Sequence, residues 1–252
     1  MTIITYEKGK RAGACREIAA SSPLLEGYKM LTILPIPTTR DGVTLTGCEV
    51  TLDSLASEAE EGEIYLGYQM PPWLADALIG AGARVVDAAL DEGFLVENAN
   101  LTAIATLGLM LREFERAPSE ISVGIVGYGR IGRALLRLLL PLGYDVTVFS
   151  TRGAVVDCLG ASGVSSRLVR SGDPLPVCDL LVNTAPAPLF DCSLASPDMP
   201  IFELAGSGNF PVADGGTRLD LRLLPSLPNR HLPVSAGRAY AAALLRALGG
   251  EG

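Results

Sequence analysis

Histidine is almost missing: His231 is the only one in 252 residues. A zinc centre built on imidazoles therefore lacks its ligands. An Arg–His–carboxylate cluster, as a 2-hydroxy acid dehydrogenase would want, has a single histidine to draw on. The five cysteines, Cys15, Cys48, Cys158, Cys178 and Cys192, include no C-x-x-C pair. Scattered thiols in odd number exclude a disulfide framework and point to a reducing, cytoplasmic compartment. Long clean apolar runs are also lacking. The stretch from Ile131 to Phe149 is interrupted by Arg133, Arg137, Pro141, Gly143 and Asp145, short of the ~20 apolar residues a membrane helix needs. No basic segment leads into an apolar run at the N-terminus, so no signal peptide and no membrane association are expected. Positive charge is in deficit, with a formal net charge of −8. An acidic surface repels phosphate backbones, and no basic stripe or nucleic-acid motif offsets it. An anionic ligand would need a local cation.

What the chain does have is apolar material, 48% of residues, arranged as strands alternating with helices. The pattern predicts strands at Ile3–Thr5, Met30–Leu34, Glu63–Gly67 and Ala83–Val86. Helices are predicted at Lys10–Ala20 and from Pro71-Pro72 onward, with Trp73, Leu74, Ala77 and Leu78 on one side. Leu101, Ile104, Ala105, Gly108 and Leu111 fall at helical spacing and predict a bridging helix over Asn100–Arg116, stopped by Pro118. Beyond it come an apolar strand at Ile121–Val126, a helix at Arg130–Leu140 and a strand at Asp145–Phe149. Leu180–Val182 and Ile201–Phe202 read as later strands. Ser235 is placed to cap a last helix closed by Gly249-Gly250. The fold class that follows is α/β: a doubly wound parallel-sheet Rossmann domain plus a smaller, shortened α/β N-terminal domain. The expected boundaries are 1–97 and 98–235, with the final helix, 236–252, free to return to the first domain.

The chemistry concentrates at Gly127-Tyr128-Gly129-Arg130-Ile131-Gly132. This G-x-G-x-x-G follows an apolar strand, opens a helix, and precedes a second strand that ends about twenty residues on. Gly127 suits the tight turn, Gly129 the approach of a pyrophosphate, and Gly132 close helix–strand packing. The helix start supplies amides and a favourable dipole for the anion. An NAD site usually carries an acid at the end of the second strand. Ser150-Thr151-Arg152 stands there instead, with two hydroxyls and a guanidinium able to donate to a 2′-phosphate, which favours NADP(H) over NAD(H). The loop Asn183-Thr184-Ala185-Pro186 follows a strand and should approach the nicotinamide.

These segments together resemble the A subunit of dipicolinate synthase. Leu34 to Gly42 is similar to that family's proline-rich S/T-R-D-G segment. Asn98-Ala99 with Thr102-Ala103 is similar to its bridging-helix entry, and the glycine loop to its G-x-G-R-x-G. Asn183-Thr184 with Pro186 is similar to its N-T-x-P turn, and Leu204-Ala205 to its strand-end L-A. Leu227-Pro228 and Pro233 to Gly237 are similar to its C-terminal segment. The chain departs from the family at Ile104, where a carboxylate is usual, and at Asn229-Arg230 and Val234-Ser235. The resemblance implies oxidation of a cyclic, dihydrodipicolinate-type dicarboxylate with NADP(H), in the sporulation route to dipicolinic acid. It also implies a homo-oligomer and room for a second, flavoprotein-like component of the synthase. Substrate-binding candidates are Thr38, Thr39 and Arg40 in a loop after a strand, with Ser235 opposite, in a site expected between the domains. No acid or base is assigned, since His231 aligns with an apolar family position. The alternatives are a related 2-hydroxy or amino acid dehydrogenase and a non-catalytic nucleotide-binding subunit.

Overall fold

A computed structural model describes residues 1–192, 199–206, 209–210 and 219–249. The chain divides into two compact units, Met1–Asn98 with Pro228–Gly252, and Ala99–Leu227. The segment 228–235 thus goes with the first unit rather than with the nucleotide-binding one.

The first unit is built on β1 (Thr2–Thr5), β2 (Met30–Ile33), β3 (Glu63–Gly67) and β4 (Arg84–Asp87). They form a parallel sheet in the order β1-β2-β3-β4. The central strand β3, Glu-Ile-Tyr-Leu-Gly, is buried at every position, as expected of a parallel strand covered on both faces. The helices α1 (Lys10–Ala20), α2 (Leu52–Ser57) and α3 (Pro72–Gly80) connect the strands. Leu74 and Leu78 of α3 point into the core, whereas Trp73 is 44% exposed, so the expected apolar side of this helix is narrower than its composition suggests.

The bridging helix α4 runs Glu92–Glu113, not Asn100–Arg116. Its start lies earlier because the Asp91 carboxylate accepts a hydrogen bond from the Phe94 amide, serving as an N-terminal cap. Its buried face is also rotated from expectation. Leu101, Ala103, Ala105 and Met110 are buried, while Ile104 and Leu111 are 45% and 55% exposed. Thr102 and Thr106 are buried on this helix, and the Thr106 hydroxyl donates to the Thr102 carbonyl at 2.8 Å. By length and hydropathy α4 could cross a membrane; its Phe94, Leu101, Ala103, Ala105 and Met110 are buried.

The second unit is a six-stranded parallel sheet. Its elements are β5 (Ser122–Val126), α5 (Arg130–Leu139), β6 (Asp145–Ser150), α6 (Gly153–Ala161), β7 (Ser165–Leu168), β8 (Asp173–Pro174), β9 (Leu180–Asn183), β10 (Phe190–Asp191), β11 (Pro200–Glu203) and β12 (Asp220–Leu223). β8 and β10 pair only with each other, and the main order is β12-β11-β9-β5-β6-β7. Counted within the unit, this is the 3-2-1-4-5-6 order of a dinucleotide-binding sheet, whose winding reverses between β5 and β9. The guanidinium of Arg116 and the Ser122 hydroxyl and amide grip Asp179 at the opposite end of these two strands. Led by the Arg116 bond, this grip holds the Asp179 carboxyl down at about 2.

The chain ends in α7 (Leu227–His231) and α8 (Pro233–Gly249). Ser235 therefore lies inside the first turn of α8 rather than capping it, because the helix opens two residues earlier at Pro233, which suits a first turn. Residues 250–252 of the expected final helix lie outside the described residues. α8 packs on α1, and the wholly buried Tyr240 sends its hydroxyl to the carbonyls of Leu34 and Leu66, at 3.3 and 3.2 Å.

Candidate functional site

The carboxyl edge of the second sheet forms a level row. Phe149 pairs with Val126, Val126 with Asn183, and Asn183 with Glu203. The glycine loop leaves this row at the reversal of winding. Gly127 has φ +92°, a left-handed conformation that glycine adopts without strain, and its amide donates to the Phe149 carbonyl at 2.8 Å.

The three glycines make different steric demands. A Cβ at Gly132 would lie 2.2 Å from the Gly127 carbonyl oxygen, so the helix fits on the turn only without a side chain. A Cβ at Gly129 would meet nothing within 4 Å. That open cradle lies at the N-terminus of α5, which Gly129 caps without any side-chain hydrogen bond. The first amides of a helix lack intrahelical acceptors and favour an anion, so the loop fits a dinucleotide pyrophosphate. Tyr128 stands beside it, its ring 5.4 Å from the Arg133 guanidinium carbon, and Arg130 and Ile131 form the helix start.

The two flanking loops take different forms. At the end of β6, Ser150 is buried and its hydroxyl accepts from the Arg152 amide at 3.2 Å, fixing the turn. Thr151 and Arg152 are exposed, and Arg152 occupies the N-cap position of α6. Beyond β9, the Thr184 hydroxyl donates to the Val126 carbonyl at 2.8 Å and would be 2.8 Å from a Cβ on Gly127. Asn183 is buried and closes a turn with Ala185, Oδ1 accepting from its amide and Nδ2 donating to its carbonyl. Pro186 continues the loop.

Sequence reasoning missed what holds that turn. Glu203, 2% exposed at the end of β11, accepts from Asn183 Nδ2 at 2.8 Å and Asn209 Nδ2 at 3.2 Å. Its other oxygen accepts from the amides of Ala205 and Gly206. A lone acid between an apolar strand and Leu-Ala has no local signature, and its main side-chain partner is twenty residues away.

In the first unit, the residues 38–42 are tightly organised. Thr38 is fully buried, and its hydroxyl accepts from the Tyr68 amide at 3.0 Å. The Thr39 hydroxyl donates to Asp41 and accepts from the Gly42 amide. The Thr39 hydroxyl is thus spent within the loop and the Thr38 hydroxyl on the residue after β3, and Thr38, expected at the substrate, is buried. Asp41 also accepts from the amides of Val43 and Thr44 and from the Thr44 hydroxyl. The Thr44 bonds foremost hold its carboxyl far below the usual range. Arg40 is left exposed at the tip, with no partner among the described residues. Ser235 is half-buried in α8, and His231 is exposed. No group of His, Cys, Asp and Glu among the described residues could hold a metal ion. Burial raises the Cys15 and Cys178 thiols to about 12 and about 11, away from thiolate chemistry.

No family model matches the sequence, and no curated protein sequence is similar to it. Solved structures do match. The fold is that of the A subunit of dipicolinate synthase. The structure of that protein from Bacillus halodurans aligns over 99% of this chain and 98% of its own, with a TM-score of 0.74 at 15% identity. The dipicolinate synthase A chain of Bacillus subtilis aligns over 92% and 80%, with a TM-score of 0.69 at 20% identity. A transhydrogenase from Sinorhizobium meliloti is similar over 97% and 91%, with a TM-score of 0.58 at 16% identity. The chain thus has the two-domain α/β fold shared by these proteins.

Proposed function

We propose that this protein is an NADP(H)-dependent oxidoreductase that acts on a small cyclic dicarboxylate, in keeping with the dipicolinate synthase whose fold it shares. The observation that carries the cofactor is the glycine loop. It lies at the reversal of a 3-2-1-4-5-6 sheet, with Gly127 strained for other residues, Gly132 closed to a side chain and Gly129 open. Once bound, the nicotinamide supplies the hydride acceptor or donor, and the chain's own part is binding and orientation.

The 2′-phosphate preference rests on the exposed Thr151 and Arg152 beyond β6, where no carboxylate opposes the anion. NADPH is expected to bind more tightly than NADH. Arg152→Ala should weaken NADPH by about 1.5 kcal/mol, the low end for a bond to a charged group because the guanidinium is exposed. NADH should barely change. Titration of both nucleotides checks this, and equal wild-type affinities for the two would sink the NADP reading.

For the substrate we infer that Arg40 supplies the local cation that an anionic ligand needs on a chain of net negative charge. Its neighbours fix the backbone while its guanidinium stays unpaired, and a guanidinium can grip a carboxylate with two hydrogen bonds. Arg40→Lys keeps the charge but loses the fork. It should weaken pyridine-2,6-dicarboxylate binding about tenfold in calorimetry and leave NADPH affinity alone. Wild-type dicarboxylate binding in both Arg40→Lys and Arg40→Ala would make the loop purely structural.

A further inference from the structure

Glu203 is a buried carboxylate whose visible partners are all neutral. Its donors are two side-chain amides, Asn183 and Asn209, and two backbone amides, Ala205 and Gly206. No lysine, arginine or histidine pairs with it among the described residues. Burying a carboxylate is costly, and amide donors offset that cost only in part.

The position of this charge is informative. Glu203 sits in register with Asn183 at the carboxyl edge of the sheet, on the β9–β11 side of the winding reversal. Ser150 and Arg152 lie on the other side, beyond β6. A dinucleotide laid across the edge with its pyrophosphate on α5, and its 2′-phosphate by Arg152, directs its nicotinamide to the Asn183 side. The oxidised nicotinamide ring is a cation and the reduced ring is neutral.

We propose that Glu203 is the counter-charge for the oxidised nicotinamide, so that the site binds the oxidised cofactor in preference to the reduced one. Asn183 holds Glu203 in place. One of its amide protons is held by Glu203 and the other by the Ala185 carbonyl, which sets the turn whose Thr184 locks onto the glycine loop. Glu203 is a positioning residue that never touches the cofactor; its charge acts through the low-dielectric edge of the sheet. By linkage, stabilising the cationic ring lowers the reduction potential of the bound couple below that of the free one, in proportion to the affinity ratio. The inference rests on the dinucleotide reading above.

The test compares affinities for NADP⁺, NADPH and 2′,5′-ADP, a probe that keeps the 2′-phosphate and lacks the nicotinamide. Glu203→Gln removes the charge at nearly constant volume. It should weaken NADP⁺ roughly tenfold, from one buried charge at moderate distance, and leave NADPH and 2′,5′-ADP within about twofold of wild type. A structural role alone would lower all three together, and that outcome overturns the proposal, as does an unchanged NADP⁺ to NADPH ratio. Should Glu203→Gln not fold, Glu203→Asp retains the charge and must retain the wild-type ratio within about threefold; a ratio that collapses there overturns it equally. If the wild type binds 2′,5′-ADP and both dinucleotides, failure of the ratio test removes the Glu203 inference alone. If the wild type binds none of the three, the dinucleotide reading falls with it.

Discussion

Gly129→Val is expected to give a folded protein that has lost dinucleotide binding by about a hundredfold or more, because the side chain takes the space of the pyrophosphate and covers the helix amides. The fold should tolerate it. Gly129 is extended rather than left-handed, with φ −82° and ψ −161°, and an added Cβ meets nothing within 4 Å. The adjacent control runs the other way. Gly132→Ala puts a methyl 2.2 Å from a backbone oxygen, so helix and turn must part, at a cost of about 1–3 kcal/mol of stability. Thermal melts and NADPH titrations on both variants separate the two roles. Unchanged nucleotide affinity in Gly129→Val would remove the loop from the site.

The second large effect is expected in the first unit. Gly237 lies where α8 crosses α1, and a Cβ there would sit 2.2 Å from the Arg11 carbonyl oxygen and 2.9 Å from the Ala14 Cβ. Gly237→Ala improves intrinsic helix propensity by about 1 kcal/mol. The clash is with backbone, which cannot rotate away, so the helices must separate and their small-residue contact is lost. Overpacking of this kind costs about 1–3 kcal/mol and occasionally more, and here we expect it to exceed the propensity gain. A fall in Tm of a few degrees is the expected result, on the order of 2–8 °C. Nucleotide affinity at low temperature should be retained, because Gly127 to Gly132 belong to the other unit. A melting temperature equal to or above wild type would show that the crossing is looser than its geometry implies.

Much of this architecture is legible in the chain. The strands Glu63–Gly67 and Ser122–Val126 are short apolar runs bounded by glycine and polar residues, and their buried, two-sided environment is what such runs demand. The glycine loop is legible because each glycine answers a separate steric need, and three coinciding needs are specific. The edge strands β7 and β12 are not legible. Ser-Ser-Arg-Leu and Asp-Leu-Arg-Leu carry little apolar signal, since an edge position buries little, and their strand character comes from pairing with β6 and β11. The face of α4 is misleading because Ile104 and Leu111 are apolar yet exposed, whereas Thr102 and Thr106 are polar yet buried. Spacing alone cannot tell these apart when a threonine satisfies its hydroxyl on its own helix. The organised loop at Thr38–Gly42 is marked by composition, but composition does not say that Thr38 is buried, that the Thr39 hydroxyl closes on Asp41 and Gly42, and that Arg40 faces solvent. Glu203 is invisible because its meaning depends on Asn183 and Asn209, which the chain brings to it only after folding.

The contact between α1 and α8 has a consequence for how the polypeptide is made. Synthesis runs from the N- to the C-terminus, so the strands β1 to β4 and helix α1 leave the ribosome before the second unit. Their covering helix α8 leaves only after the whole of Ala99–Leu227. The loop that this contact closes spans roughly two hundred residues, and its entropic cost rises only logarithmically with that length. The waiting time is the larger matter: at about 5–20 residues per second, the ribosome takes many seconds to supply α8. Through that interval the second unit, contiguous in the chain, can complete its own sheet. The first unit meanwhile exposes Ala12, Cys15 and Ala19, which are buried in the finished protein, and the carbonyls of Leu34 and Leu66 await Tyr240. Until α8 emerges, the first unit is therefore the part most vulnerable to aggregation and proteolysis, and release of that helix ends the exposure.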